Sequence, residues 1–587
     1  MRFTNDYWHS LDKETANRYS LNPNTIGIST PPFKDQLESL KTRIFQGASQ
    51  VELGFTGRGK SSASQGSISP EQISQEEREQ IRLLAKINKV ELSTHNTVGV
   101  GTLSGFDARR NSFDNEEREA SLNELKRTVD FAADVTQGGP IVVHTGEFPR
   151  PIYKYEQEGF QGYPMEKEHA PVYLADPETG QVLSLRRDIK ILEPVWKNKE
   201  NEAARIPERD ENNNIKFKER KYQEVEEEFK SEKAKAEQAG GQELEKFQKK
   251  YKDDPGIYFY DMYAQREILQ NKGEAERMMG WAEQAIREGN NTPAAQRQAA
   301  NLRNTGLSYA QRAADQENQL ARIKPIQDYG VEKSADAMAR GAIYAMKKQK
   351  ETEEAENTKF KSPLFIAPEN IFPENGYGSH PEELKNMIVK SREEMQRLLW
   401  DKEKNKPTKD GSELGVYSYD DAVKSSQDHI KATFDIGHLN TWRKFFTGKP
   451  QEFNEWVGKQ VETLAKEKII GHAHITDNFG FYDEHVTPGE GNAPIAGFIK
   501  KLKENEFKGK IIVEPGHQDV KAWTGAMRSF NSPIYRVDGR PVSWTEVEHS
   551  YFSKTRSPTY LVGETSPGVG LGEEYNDWRF WSRLPIE

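Results

Sequence analysis

The sequence of 587 residues contains no cysteine. Disulfides, thiolate metal ligands and a cysteine nucleophile are therefore excluded, and any transition metal must be held by imidazole and carboxylate groups. No apolar run approaches the roughly 20 residues that a membrane-spanning helix needs. The first twenty residues, MRFTNDYWHSLDKETANRYS, have no apolar core of the signal-peptide type. These absences predict a cytoplasmic protein without a membrane partner.

An excess of positive charge is also missing. The formal net charge of −10 gives no support to non-specific nucleic-acid binding, although it does not exclude a local basic groove. The hydrophobic fraction of 34% and the charged fraction of 30% suit a folded core with a heavily solvated part. At this length we expect one main domain with substantial additions.

Short apolar runs alternate with amphipathic stretches on both sides of a long interruption. Such alternation is typical of parallel βαβ units, and eight strands in series predict a closed (β/α)₈ TIM barrel. An open doubly wound sheet is the alternative. The predicted strands are 25–29, 50–53, 90–94, 140–143, 364–367, 431–434, 469–475 and 510–513. The predicted helices between them are 33–46, 70–86, 119–135, 381–401 and 451–467.

The interruption predicts a large, mostly helical insertion. We assign 1–150 and 359–517 to the barrel, 151–358 to the insertion and 518–587 to a C-terminal extension that packs on the barrel. The insertion begins with a hairpin signal, 171–174 and 181–185 around the turn sequence DPETG. Charged helical stretches follow at 216–237, 261–288 and 293–323, with a break at Gly240 and Gly241. Such charges are typical of solvated helices, and the sharper hypothesis is an arm that covers the barrel mouth or docks a protein partner.

Metal-binding side chains follow six successive predicted strands. The active site of a (β/α)₈ barrel lies at the carboxyl ends of its strands, so these positions are expected to converge. Each residue alone has an ordinary structural explanation, but together they predict a site for Zn²⁺, Mn²⁺ or Fe²⁺. The candidates are His95, His144, Glu369, Asp435, His438, His474, Asp483, His485 and Glu514.

The spacing of these motifs resembles the endonuclease IV-type apurinic/apyrimidinic endonuclease family, within the xylose isomerase-like barrel superfamily. The resemblance covers 25–150 and 362–517 and does not extend to the insertion or the extension. The combination of D-x-x-H, D-x-H and G-E-G motifs is fairly specific, whereas no single motif is. The segments that carry it are TFDIGH at 433–438, HITDN at 474–478, DEH at 483–485, PGEG at 488–491, VEP at 513–515 and VVHTG at 142–146.

The resemblance implies a trinuclear, usually zinc, site. His95, His144 and Glu369 would hold the first ion. Glu369 would bridge to a second ion that is also bound by Asp435, His474 and Glu514. The third ion would be held by His438, Asp483 and His485. Manganese or another divalent metal is the alternative to zinc.

One further histidine competes with a proposed ligand. His472 shares a strand face with His474, so either could bind the metal. We favour His474 because the H-x-x-D pattern of the family continues from it to Asp477. His472 is then expected to be an inward-facing neighbour of the ligands.

The resemblance predicts metal-dependent phosphodiester hydrolysis of abasic or otherwise modified nucleic acid. Glu369 and Glu514 are the candidate catalytic residues that orient the attacking hydroxide. The stretches 55–62 and 96–106 are the candidate DNA contacts, with Arg58 and Lys60 in the first. This sequence departs from the family in a shorter segment between His474 and Asp483 and in the insertion, and both departures concern the expected DNA contacts rather than the metal ligands.

Two other functions remain open. A mononuclear sugar isomerase or epimerase would use one ion, held by the equivalents of Glu369, Asp435, His474 and Glu514. Its two glutamates would move a proton between adjacent carbons. The third function is a barrel that serves as a binding module through its insertion.

Overall fold

The computed structural model describes residues 25–57, 68–98, 101–196, 206–211 and 215–514, together with the single residues 516, 523, 526, 527 and 530. Arg58 and Lys60 lie outside the described residues, as does the predicted C-terminal extension apart from four of these single residues. Among the described residues, no helix is long and apolar enough to cross a membrane.

Eight parallel strands close into a barrel in sequential order, with the last strand paired to the first. The predicted TIM barrel is therefore confirmed and the open sheet is excluded. The strands are β1 (Ile26–Ser29), β2 (Gln50–Phe55), β3 (Glu91–Thr97), β4 (Gly139–His144), β5 (Leu364–Glu369), β6 (Ala432–Asp435), β7 (Ile470–Ile475) and β8 (Lys510–Val513).

Helices that follow the strands cover the barrel with their apolar faces. In Pro381–Leu399 the buried side chains include Leu384, Ile388 and Met395, which recur at helical spacing. A capping box at His380 starts this helix, with proline at the first turn. The helices of the barrel are Gln36–Phe45, Gln75–Asn88, Asn115–Val135, Pro381–Leu399, Tyr419–His429, Pro450–Lys466 and Ile495–Glu504.

The register of the strands brings polar residues level with one another at the carboxyl end of the barrel. Glu369 of β5 is opposite His144 of β4. Asp435 of β6 is opposite His474 of β7. Because these strands are parallel and short, their terminal side chains meet at the same barrel opening.

The chain divides into two compact units, one containing the barrel and the other comprising 104–118 and 150–334. The second unit ends at Ser334, whereas the sequence predicts that the insertion ends at residue 358. The helix Ile326–Glu356 continues past Ser334 without a break. Its part from Ala335 onward belongs to the barrel unit. Its highly charged end, KKQKETEEAE, resembles the inserted helices in composition, which explains the difference.

The second unit contains the predicted hairpin, formed by antiparallel strands Pro171–Ala175 and Val182–Arg186. Lys324–Pro325 adds a third strand beside the first. The helix predicted at 216–237 begins only at Tyr222, because Phe217–Arg220 pairs as a strand with Ile191–Pro194. The helices of this unit are Glu166–His169, Tyr222–Ala239, Gly241–Tyr251, Pro255–Glu288 and Pro293–Arg322.

Candidate metal centre

All nine predicted ligands meet at the carboxyl end of the barrel. Their side chains form three groups in which potential ligand atoms lie within 4.8 Å of one another. The groups are His95, His144 and Glu369; Glu369, Asp435, His474 and Glu514; and His438, Asp483 and His485. Glu369 belongs to two groups, which is the arrangement that the family resemblance implies.

Glu369 lies at the centre of the cluster and is fully buried. Its Oε2 atom lies 3.6 Å from His95 Nε2 and 3.5 Å from His144 Nε2. Its Oε1 atom lies 2.8 Å from His474 Nδ1 and 3.6 Å from His438 Nδ1. The two oxygens of one carboxylate therefore face different groups of histidines, so Glu369 could bridge two ions.

The second group is assembled from the last four strands. His474 Nδ1 lies 3.5 Å from Glu514 Oε1 as well as close to Glu369. Asp435 is fixed by Thr476, whose hydroxyl donates to Asp435 Oδ1 over 2.7 Å. The same oxygen accepts the backbone N–H of His438, so Asp435 Oδ2 is left to face the cluster.

The third group joins the loop after β6 to the loop after β7. Asp483 Oδ2 lies 2.9 Å from His485 Nε2 and 3.3 Å from His438 Nε2. The backbone of His485 has a φ of +50°, a left-handed conformation that costs about 1 kcal/mol or more outside glycine. Gly516 N–H donates to the carbonyl of His485 over 2.8 Å, which helps to hold this conformation.

Backbone carbonyls fix which nitrogen of three histidines is available. The Nδ1 atoms of His95, His438 and His485 lie 2.8–3.0 Å from the carbonyl oxygens of residues 96, 370 and 514. A carbonyl can only accept, so each Nδ1 carries a proton and each Nε2 is the nitrogen that faces the carboxylates of the cluster. Metal-binding histidines in proteins are oriented in this way.

A single aspartate organises the loop that follows the third group. The carboxylate of Asp477 accepts the backbone N–H groups of Asn478, Gly489, Gly491 and Ala493 over 2.7–3.0 Å. A Cβ atom at Gly491 would lie 2.3 Å from Asp477 Oδ1. The PGEG motif is therefore explained by a loop that wraps around a buried carboxylate.

The electrostatics of the cluster suit a cation. Burial alone would raise the pKa of Glu369, but His474 and His95 outweigh it and hold the pKa well below its usual range. Burial lowers the pKa of His144 to about 3. Burial acts in the same direction on His95 and His485, but their carboxylate neighbours outweigh it and raise these pKa values to about 8 and about 9. Three buried oxygens of the cluster have no hydrogen-bond partner among the described residues: Glu369 Oε2, Asp435 Oδ2 and Asp483 Oδ1. Since buried oxygens without a partner are costly, this set of nitrogen and oxygen donors fits a divalent ion.

One buried carboxylate beside the cluster was not predicted from the sequence. Glu52, on β2, is 1% exposed, and its Oε1 atom lies 3.0 Å from His474 Nε2. Its Oε2 atom lies 3.5 Å from His472 Nε2 and accepts the hydroxyl of Ser93. The available signal was a carboxylate in the interior of the predicted strand QVEL, because a buried charge requires partners. The ring of His472 is thus close to Glu52, whereas the ring of His474 lies between Glu52 and Glu369.

The cluster opens into a cavity of about 230 Å³. One wall consists of the ligands, and the other is apolar and includes Pro32, Val98, Ile371 and Phe372. This volume is below the roughly 300–1,000 Å³ of pockets for drug-sized ligands.

Comparison with known proteins agrees with this architecture. Residues 412–532 match the family model described as xylose isomerase-like TIM barrel. The closed parallel barrel of this chain agrees with the TIM-barrel fold in this description. A segment of 87 residues is 43% identical to the uncharacterized protein MJ1311 of Methanocaldococcus jannaschii, and it covers 15% of this chain and 26% of that relative. The chain therefore spans about a quarter of the length of this relative.

Solved structures with low overall similarity carry the names of sugar epimerases. A D-tagatose 3-epimerase-like protein aligns with 86% of this chain and 97% of its own at 14% identity and a TM-score of 0.34. The 3-keto-D-glucoside 4-epimerase of E. coli aligns over the same shares at 8% identity and a TM-score of 0.34. At such TM-scores, the likeness carries no argument about the activity of this chain.

Proposed function

We propose that this chain is a metal-dependent enzyme that hydrolyses a phosphodiester next to a sugar, with abasic or otherwise modified nucleic acid as the substrate class. The observation that carries the proposal is the presence of three ligand groups around Glu369. A mononuclear enzyme would need only Glu369, Asp435, His474 and Glu514. The five additional side chains would have no function in it.

Divalent ions at such a centre, when bound, ionise a water and neutralise the charge on phosphate oxygens. Glu369 would hold two ligand groups at a fixed separation through its two oxygens. Glu514 lines the cavity, and burial raises the pKa of its carboxyl group, so it could accept a proton from an attacking water. The apolar side chains of Ile371 and Phe372 would exclude other water from the reacting group.

A second candidate is a sugar isomerase or epimerase with a single ion. The family description, xylose isomerase-like TIM barrel, fits this candidate better than it fits a nuclease. One feature of the site also favours it. Glu369 Oε1 and Glu514 Oε1 lie 2.8 and 3.5 Å from the same atom, His474 Nδ1, so two carboxylates flank one position. A pair of this kind could remove a proton from one side of a carbon and return it.

Metal content and two assays distinguish the candidates. The purified full chain is analysed for metals by mass spectrometry. It is then incubated with a duplex containing one abasic site and, separately, with ketoses in D₂O, where an isomerase or epimerase exchanges a carbon-bound proton for deuterium. The hydrolase proposal expects two or three equivalents of metal and strand cleavage. One equivalent with deuterium incorporation would reject it in favour of the second candidate.

The variant Asp483→Asn makes the test sharper. Asp483 belongs only to the third group, so a multinuclear hydrolase should lose activity, whereas a mononuclear isomerase should keep it. Glu514→Gln is the matched control, because both mechanisms need this carboxylate. Retained cleavage in Asp483→Asn would contradict the multinuclear proposal.

A further inference from the structure

Glu52 is a buried carboxylate that the proposed chemistry does not use directly. Its Oε1 atom lies 3.0 Å from Nε2 of His474, while Nδ1 of the same ring lies 2.8 Å from Glu369. The imidazole of His474 therefore lies between two carboxylates, one on each nitrogen. Only one of them, Glu369, belongs to the proposed nine-ligand set.

The other oxygen of Glu52 is also held. Ser93, on the neighbouring strand β3, donates its hydroxyl to Glu52 Oε2 over 3.0 Å, and His472 Nε2 lies 3.5 Å from the same oxygen. Burial would raise the pKa of Glu52, but His474 and His472 outweigh it and hold the pKa at about 2. Glu52 is thus held at Oε2 by Ser93, while Oε1 faces His474 Nε2.

We propose that Glu52 is a positioning residue for metal binding by His474. The carboxylate of Glu52, 3.0 Å from Nε2, favours the tautomer of His474 with the proton on that nitrogen and so directs the lone pair of Nδ1 towards Glu369 and Glu514. Removing such a carboxylate behind a metal-binding histidine lowers metal affinity by about 10–100-fold. This inference rests on the proposed metal centre and adds a tenth side chain that sets its affinity.

A purely structural role for Glu52 makes a different prediction. A buried charge with its partners is often replaced by an apolar residue of similar volume without loss of stability. If Glu52 only fills space in the barrel, Glu52→Leu should leave both folding and metal binding intact. Metal affinity therefore separates the two roles, and stability alone does not.

The experiment measures zinc affinity and stoichiometry of the full chain by competition with a chromophoric chelator, and records the visible spectrum of the Co²⁺-loaded protein. We expect Glu52→Leu to weaken one zinc position by about 10–100-fold and to change the Co²⁺ spectrum. Glu52→Gln, which retains an acceptor oxygen, should restore most of the affinity. Ser93→Ala is the matched control, because it removes a partner of Oε2 and leaves the contact of Oε1 with His474; its zinc affinity should be unchanged.

Glu52→Asp covers the case in which the leucine variant does not fold. It keeps the charge but withdraws the carboxylate by one carbon–carbon bond, about 1.5 Å, which breaks the contact with His474. A folded Glu52→Asp or Glu52→Leu variant with the zinc affinity and Co²⁺ spectrum of the parent overturns the inference. A parent protein that binds no divalent ion overturns the proposed function instead, so the two failures are distinguishable.

Discussion

His474 Nδ1 lies 2.8 Å from Glu369 Oε1, although the two residues are 105 positions apart in the chain and their strands are not neighbours. Strand β6 lies between β5 and β7 in the barrel. In (β/α)₈ barrels, alternate strands contribute side chains to the same interior layer, which explains why these two meet. His95 belongs to the same layer, because it comes from β3, another odd-numbered strand. Its ring stacks on that of His474, with 6.1 Å between the ring centroids.

Glu369→Gln should remove more metal than any other single substitution in the cluster. Glutamine has almost the same shape but is a neutral and poorer ligand, and Glu369 belongs to two ligand groups. We expect metal stoichiometry to fall by about two ions with little change in the circular dichroism spectrum. Asp483→Asn, which affects one group, should lose one ion. Equal stoichiometry in both variants and the parent would contradict the assignment.

Removal of metal should lower the thermal stability of the barrel. Ligands that bind only the folded state stabilise it by about 3 kcal/mol at a free concentration 100 times Kd. The chelated protein should therefore unfold at a lower temperature in calorimetry, and added zinc should restore the transition. An unfolding temperature that is independent of zinc and of the chelator would show that the cluster does not bind this ion.

Asp477→Ala should disorganise the loop after β7. Four backbone N–H groups would lose their acceptor, which should cost about 3 kcal/mol in the free energy of unfolding. Because this loop carries Asp483 and His485, we expect the third metal position to be lost as well. Glu490→Ala is the control in the same loop, since its carboxylate accepts only one exposed backbone N–H, from Thr487. Comparable metal loss in both variants would refute the specific role of Asp477.

The second unit should show a pH-dependent stability that depends on one ion pair. Hydrogen bonds from Arg322 hold the pKa of buried Asp176 at about 2. The folded-state pKa is depressed, so the stabilisation is complete above about pH 4, where the unfolded carboxyl is ionised, and is lost as the pH falls through 2.

Asp176→Asn tests this ion pair by chemical denaturation between pH 2 and 7. The variant should be about 2 kcal/mol less stable than the parent at pH 7, and the difference should vanish near pH 2. Glu219→Gln is the control, because its pair with Lys190 is exposed and should contribute little. A constant difference between Asp176→Asn and the parent across this range would rule out the linkage.

The barrel could be predicted from the sequence because its signals are local. Each strand is a short apolar run, and each helix shows its apolar residues at helical spacing. The ligands could be located because a polar side chain directly after an apolar strand has a known place in this fold. His438 and His485 were recoverable only through the spacing of the D-x-x-H and D-x-H motifs, since both lie on loops.

What the sequence did not reveal depends on tertiary packing. Glu52 lies in the middle of β2, and its partners His472, His474 and Ser93 come from other strands. The boundary at 358 and the end of the compact unit at Ser334 differ because charge composition does not show which unit a helix packs against. The strand Phe217–Arg220 was read as helix since its pairing partner lies more than twenty residues earlier.

The pairing of Lys324–Pro325 with the strand Pro171–Ala175 has a consequence for how the chain reaches its folded state. Thr145 and Glu369 must meet across 224 residues, and long-range contacts of this kind slow folding because the intervening chain loses entropy. The pairing of these two strands brings the beginning and the end of the inserted unit together. If that unit folds first, the effective separation between β4 and β5 becomes much shorter, and the barrel can close at a speed typical of an uninterrupted one. Nascent-chain experiments should then find the inserted unit resistant to protease before β5 has left the ribosome.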